Sequence, residues 1–336
     1  MINGLGQLGD EDDPAPDPWT PELFQDLRDS GLSAVNLTVG HVYGAGEPFE
    51  TTVADIARHL RLIRAHPREV ALVQSAAELR DGRSQGRVGL ILGFQNTLML
   101  GDRPGRVELF AGLGVKVIQL TYNGRNRVGD GAMEAGNRGL TRFGREVLAE
   151  LNRTGTLLDL SHSGERTCLE AIAASGAPAT LSHVGCQALH PHPRNKSDRE
   201  LRLLAERGGV AGIYFMPYLR ADSQPTAADV VAHLEHAIQV CGEDHVALGT
   251  DGGSHRVADL EVQRRAAAED VARRQAAGIA APGEQPGVLP FVPDLCGPDQ
   301  FRRLVALLEA RGHGGARIEK ILGGNLLRLY AEVWGG

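Results

Sequence analysis

Residues able to bind a metal ion or move protons recur at one kind of place in this 336-residue chain, just beyond short apolar runs. Gln95-Asn96-Thr97 follow L-I-L-G-F, Thr121-Tyr122-Asn123 follow V-I-Q-L, and Ser161-His162 follow L-L-D-L. Ser182-His183 follow A-T-L, Thr250-Asp251 follow V-A-L-G, and His41 comes shortly after S-A-V-N-L-T-V. One divalent ion needs several lone pairs at about 2 to 2.2 Å. Acid/base chemistry needs a carboxylate, imidazole or phenol within hydrogen-bond reach of the substrate. Taken singly, a histidine at a strand end is more often a hydrogen-bonded structural residue. Two histidines after successive runs, with an aspartate after the last, are a set that one site would use.

Whether these side chains meet depends on the elements that carry them. The apolar runs are Ser33–Val39, Val88–Phe94, Val115–Leu120, Thr156–Leu160, Ala179–Leu181, Val210–Phe215 and His245–Gly249, and a strand at residues 1–5 brings the expected count to eight. Helix-like stretches lie between them at Pro21–Asp29, Thr52–Ala65, Gly139–Arg153, Glu165–Ala174, Asp198–Glu206 and Ala227–Cys241. Strands apolar on both faces, alternating with helices, predict a parallel sheet covered by helices. Eight such units close a (β/α)8 TIM barrel, in which the carboxyl ends of all strands face one rim. A doubly wound open sheet is the alternative. Residues 1–336 read as a single domain with a long loop or helical insertion at about 254–296. In it, a charged helical stretch (Asp259–Gln275) precedes a Gly/Pro-rich segment placed to cover the site. The acidic, Pro-rich residues 10–18 read as a loop, and Asp299–Trp334 as two helices.

Composition narrows the classes. Lys and Arg number 35 against 42 Asp and Glu, a net charge of −7, so nothing basic enough to hold a phosphate backbone by charge is present and no nucleic-acid partner is expected. Cys168, Cys186, Cys241 and Cys296 are scattered without a C-x-x-C pair, which predicts reduced thiols in a cytoplasmic protein. No run of about 18 apolar residues predicts a membrane span, and no basic-then-apolar leader is visible. Gly4-Leu5-Gly6-Gln7-Leu8-Gly9 spells the dinucleotide fingerprint G-x-G-x-x-G. It lacks the preceding strand the motif requires, and the acids Asp10 to Asp13 that follow would repel phosphate.

The runs also carry a resemblance. L-G-V-K-V-I-Q-L-T-Y-N, G-L-T-R-F-G-R-E-V-L-A-E-L-N-R-T-G-T-L-L-D-L-S-H, S-H-V-G with H-P-R-N-K-S-D, H-V-A-L-G-T-D and I-L-G-G-N-L-L-R-L-Y stand in order from about residue 88 to 334. Together they resemble the membrane (renal) dipeptidase family, a branch of the metal-dependent amidohydrolases with a (β/α)8 fold. The resemblance implies that His162 and His183 are metal ligands and that Arg194 grips the substrate carboxylate. It also implies that Asp251 handles the proton of the attacking water. The family histidine that steadies the oxyanion falls on Tyr122, whose hydroxyl can still donate a hydrogen bond.

Two departures stand beside these matches. The family's opening D-G-H-x-D reads Asn3-Gly4-Leu5-Gly6-Gln7, and the carboxylate that bridges its two metals is Gln95 within G-F-Q-N, as in a divergent bacterial subgroup. An amide offers one neutral oxygen and compensates little of the charge on two dications about 3.5 to 4 Å apart. The expectation is at most one divalent ion, Zn²⁺ first and then Mn²⁺, Fe²⁺ or Co²⁺, held by His162, His183 and Gln95 or Asp251, or none. The leading reading is a dipeptidase-like hydrolase acting on a small amide, dipeptide or amino-acid-derived substrate with a free carboxylate. Asp251 and Tyr122 are its catalytic residues, and Arg194, Asn123 and His41 its substrate contacts. A lyase, isomerase, decarboxylase or cyclase using the same acid/base rim is the alternative, and a non-catalytic binding protein the third. The resemblance implies a homodimer. Among smaller features, Arg125 and Arg127 could bind an anion, His190 and His192 could assist Arg194, Asn36 could orient polar groups, and Tyr214 reads as core.

Overall fold

The structure is a computed structural model that describes the chain except residues 10–16, 222, 258, 277, 279, 283 and 336, with backbone alone at 82 and 83. The acidic stretch expected to be a loop therefore lies largely outside the described residues. Among the described residues there are ten strands: β1 (Ile2–Gly6), β2 (Ala34–Thr38), β3 (Val70–Leu72), β4 (Val88–Phe94), β5 (Val115–Gln119), β6 (Leu157–Asp159), β7 (Thr180–Cys186), β8 (Asn195–Lys196), β9 (Val210–Ile213) and β10 (Val246–Leu248). Eight run in the order β1-β2-β4-β5-β6-β7-β9-β10 with every pairing parallel. The ring closes where Asp251 N–H donates to the Leu5 carbonyl (3.0 Å) and Gln7 N–H to that of Gly252 (3.2 Å). This is a (β/α)8 barrel of the amidohydrolase type. The short strands β3 and β8 pair with β4 and β7 off this path.

The strands form because their residues are apolar on both faces. All seven residues of β4 are buried, as a strand between a filled barrel interior and a helical layer must be. Gly249 illustrates the tightness of the interior, since a Cβ there would stand 1.7 Å from the Ser182 carbonyl oxygen. The G-x-G-x-x-G run is β1 and the turn after it, and the first helix begins only at Pro21. Helix Arg142–Thr154 starts where Thr141 Oγ1 accepts from Gly144 N–H and stops at Gly155, whose φ of 62° suits a residue without a Cβ. Its Val147, Leu148 and Leu151 are buried. Helix Asp198–Glu206 opens with a reciprocal Ser197/Glu200 capping box.

One end of the barrel is plugged. Ile2, Ala34, Val117, Leu157 and Val210, near the amino ends of their strands, join Leu326, Leu329 and Tyr330 in one apolar cluster. The tail departs from the expected two helices. Gln300–Ala310 is followed by Gly315–Glu319, a π-turn at Lys320–Gly324 and the terminal helix Asn325–Trp334. Gly323 (φ 144°) permits that bend, and a Cβ there would meet Ile2 N at 2.9 Å. The opposite end, at the carboxyl termini of the strands, carries the insertion, whose helix spans Leu260–Ala276. Helices Ala76–Ser84 and Arg106–Gly112 are additions to the expected set. Among the described residues no helix is long and apolar enough to cross a membrane, and all four cysteines are free.

Candidate active site

A cavity of about 1030 Å³ opens on the carboxyl-terminal rim. Gln95, Tyr122, Asn123, Arg194 and Asp251 line it, together with Arg274 from the insertion. His162 and His183 are buried beneath this floor, and the Tyr122 ring stacks on His162 at 4.3 Å. His41 is not brought to the cavity. It is buried after β2 with its backbone N–H on Thr52 Oγ1 (3.0 Å).

The two imidazoles face each other with Nε2 atoms 2.9 Å apart. Their outer partners settle where the protons are. His162 Nδ1 meets Asn123 Oδ1 at 2.8 Å, an oxygen that can only accept, so this nitrogen carries the hydrogen. Ser182 donates to Asp159 Oδ2 (2.5 Å) and Ser161 donates to Asp159 Oδ1 (2.6 Å). With its hydrogen committed, Ser182 Oγ must accept from His183 Nδ1 (2.8 Å). Both Nε2 atoms therefore present lone pairs to one another, an arrangement able to accept a cation. A proton is a poor candidate. Burial holds both imidazoles well below their ordinary protonation range, and the Arg194 charge adds to the effect. The donor set is of the kind that could hold a divalent ion. Among the described residues there is no group of three or more His, Cys, Asp and Glu able to hold a metal. Gln95 is half-buried, and its amide nitrogen donates to Thr38 Oγ1 (2.8 Å), which leaves Oε1 for the pocket.

By the resemblance, Leu5 and Gln7 stand at the positions of the family's imidazole and acidic ligands. Leu5 is buried apolar core, and Gln7 bridges to Gly253 in the closing ladder. Asn3 instead stitches the barrel shut, accepting from Thr250 N–H (2.9 Å) and donating to Thr250 Oγ1 (2.8 Å).

Asp251 follows directly, in a left-handed conformation (φ 56°) that few residues besides Asn, Asp and Gly adopt. Burial pushes its carboxyl up to about 6, against the opposing pull of Arg194 and Arg274. Arg194 is 3% exposed. Its Nη2 reaches only the His183 carbonyl at 3.5 Å, its Nε has no partner, and among the described residues it makes no ion pair. Its guanidinium carbon stands 5.9 Å from the Tyr214 ring centre and 6.0 Å from that of Tyr218. A buried cation without an ion-pair partner is costly, and Arg194 lies on the wall of the cavity.

The insertion supplies groups that sequence reading left out. The Arg274 charge acts on Tyr122, pulling against the burial that raises its phenol pKa, and Arg274 pairs with Glu284 (2.9 and 3.1 Å), which also accepts from the Tyr218 hydroxyl (2.8 Å). Tyr43 stacks on Tyr122 at 5.6 Å, and Arg274 lies over the Tyr43 ring. His192 stacks on Tyr218 at 4.4 Å and its Nε2 meets the Pro282 carbonyl (2.7 Å), so it fastens the insertion. His190 binds the Tyr218 carbonyl, Arg125 pairs with Asp130, Asn36 donates to the Gly4 carbonyl, and Tyr214 is core with its hydroxyl on Asn195. Arg127 is exposed.

Comparison with known proteins adds four findings. A family model described as membrane dipeptidase, peptidase family M19, matches residues 21–267. Dipeptidase verJ of Clonostachys rogersoniana is 30% identical over 207 residues, 61% of this chain and 53% of that protein. The chain thus spans about half the length of the first curated relatives it matches. The crystal structure of an amidohydrolase from Pseudomonas aeruginosa superposes with a TM-score of 0.83 at 34% identity, covering 100% of this chain and 97% of that one. A metallopeptidase from Rhodobacter sphaeroides, crystallised with a phosphinate mimic of the dipeptide L-Ala-D-Ala, shares the fold at 20% identity and a TM-score of 0.79, covering 99% of both chains.

Proposed function

The chain belongs to the membrane dipeptidase family, and on that premise we propose that it hydrolyses a small amide or dipeptide bearing a free carboxylate, with at most one divalent ion. The single observation that carries the reading is Arg194, a buried guanidinium on the cavity wall without an ion-pair partner among the described residues. A substrate carboxylate supplies the missing charge, and a guanidinium fork binds it through paired charge-assisted hydrogen bonds.

The rest of the mechanism is assigned to groups around that anchor. Asp251 removes the proton from the attacking water, and a carboxylate poised near 6 is a competent base at neutral pH. Tyr122 donates its hydroxyl hydrogen to the oxygen that becomes negative as the amide carbonyl turns tetrahedral. Asn123 holds His162 in the tautomer described above and offers the pocket its amide. His162, His183 and Gln95 Oε1 are the residues we assign to the ion. When bound there, it supplies Lewis acidity toward the scissile carbonyl and acidifies the attacking water. A second ion finds no support in aliphatic Leu5, Gln7 or the neutral amide of Gln95, which is the basis for reading this chain as a divergent subgroup. We also infer that residues 1–336 act as one domain with the insertion as a cover.

The test compares dipeptides with their carboxyl-terminal amides in the presence of zinc, with amino-acid release followed chromatographically. Losing one partner of a buried pair costs about 3 to 5 kcal/mol, so amidation is expected to lower kcat/KM by about 10²-fold or more. Equal turnover of acid and amide would remove Arg194 as the carboxylate anchor. Absence of turnover on every dipeptide would overturn the hydrolytic reading.

A further inference from the structure

Resting on the one-ion reading of the same site, we infer that Asp159 is a positioning residue. Through Ser182 it fixes the His183 tautomer so that the His183 lone pair, and not an N–H, faces His162. Asp159 lies in the last position of β6 and is 2% exposed, an acid inside the apolar run L-L-D-L. Four donors converge on it. Oδ1 takes the backbone N–H groups of Ser161 (3.0 Å) and Ser182 (3.1 Å) and the Ser161 hydroxyl (2.6 Å), and Oδ2 takes the Ser182 hydroxyl (2.5 Å). Neither serine has a second hydrogen. The 3.1 Å approach of their oxygens is thus between two acceptors, with Ser161 Oγ receiving the His183 backbone N–H (3.1 Å). Ser182 Oγ is left as an acceptor for His183 Nδ1–H, and Nε2 emerges bare on the other side of the ring.

Reversing one donor reverses the ring. In Asp159→Asn, Oδ1 can keep both backbone N–H groups and the Ser161 hydroxyl, which puts the amide N–H₂ against Ser182 Oγ. The Ser182 hydrogen is then displaced onto His183 Nδ1, and His183 must carry its own hydrogen on Nε2. That hydrogen points at His162 Nε2 across 2.9 Å, so the pair becomes an ordinary neutral hydrogen bond that satisfies itself. An incoming ion has to break that bond and drive the tautomer back. The substitution is nearly isosteric and leaves β6, β7 and the cavity wall in place.

The experiment is two-bond ¹H–¹⁵N correlation spectroscopy of the metal-free protein, which distinguishes protonated from bare imidazole nitrogens, followed by Zn²⁺ competition against a chelator. In the parent protein both rings are expected as Nδ1–H tautomers. In Asp159→Asn His183 is expected as Nε2–H, with Zn²⁺ affinity lowered about 10- to 100-fold, the range for loss of a ligand's outer partner. Ser182→Ala, which deletes the relay without touching the acid, is expected to leave His183 in mixed tautomers with His162 unchanged. An Nε2–H on His183 in the parent, or an unaltered tautomer in both variants, overturns the inference. If the tautomers behave as stated and the parent takes up no Zn²⁺, the relay stands and the one-ion reading alone falls.

Discussion

Arg194→Met separates function from stability, because the two effects should have opposite signs. The guanidinium is 3% exposed, makes no ion pair among the described residues and keeps one nitrogen without any partner. Stranding a charge in this way costs several kcal/mol. Some of that cost is offset, by Asp251 acting at a distance and by the flanking rings of Tyr214 and Tyr218 at about 1 to 2 kcal/mol. Methionine has a comparable unbranched length and no charge. The net expectation is a gain of about 1 to 3 kcal/mol in the folded protein, or about 2 to 6 °C in Tm for a chain of this size. Binding changes the other way. In the complex the charge is compensated by the substrate carboxylate, so its removal costs about 3 to 5 kcal/mol of transition-state stabilisation, about 10² to 10³-fold in kcat/KM. The assays are thermal melting of the metal-free protein and dipeptide hydrolysis of the zinc-loaded one. A variant that melts lower than the parent, or that retains full turnover, would refute the reasoning, since either result means Arg194 already has a counter-charge.

Other perturbations test the neighbouring groups. Tyr122→Phe removes one oxyanion donor and is expected to lower kcat about 10² to 10³-fold with little change in KM. Arg274→Met is expected to lower kcat less, and to have no further effect in the Tyr122→Phe background, because the Arg274 charge acts on the phenol hydroxyl that phenylalanine lacks. Additive losses in that double-variant comparison would show that the two act independently. Asp251 is held near 6 against an ordinary 3.8. Between those values the folded metal-free chain keeps a proton that the unfolded chain has released. Its contribution to stability is therefore fully present below about pH 4 and is lost as pH rises to about 6. Denaturant midpoints measured across that window should show a downward component that Asp251→Asn abolishes, and an unchanged slope in the variant would remove Asp251 as its source.

Much of this arrangement was legible from residue order. Seven of the eight barrel strands announced themselves as runs apolar on both faces, the strand at residues 1–5 completed the count, and the polar residues just beyond them share one rim because parallel strands all end there. β3 and β8 lie outside the predicted runs and pair with β4 and β7 off the barrel path. Arg274 was read with the exposed charges of its helix. That helix buries only Ala267 and Val271 along its apolar side, and no stripe indicates which arginine turns inward. Asp159 did leave a signal, because an acid within an apolar strand must be satisfied by buried donors. The tautomers of His162 and His183 had none, since they depend on partners contributed by other strands. His41 follows β2 but is not among the cavity-lining residues, which strand-end reasoning alone does not distinguish.

Elemental analysis of divalent metals in protein purified without chelator bears most directly on the central claim. Two imidazole lone pairs converging on one point, with aliphatic Leu5 and amides at Gln7 and Gln95 in place of charged ligands, make room for a single cation. The expected result is no more than about one ion per chain, reduced further in Asp159→Asn. Two tightly held ions per chain would contradict it.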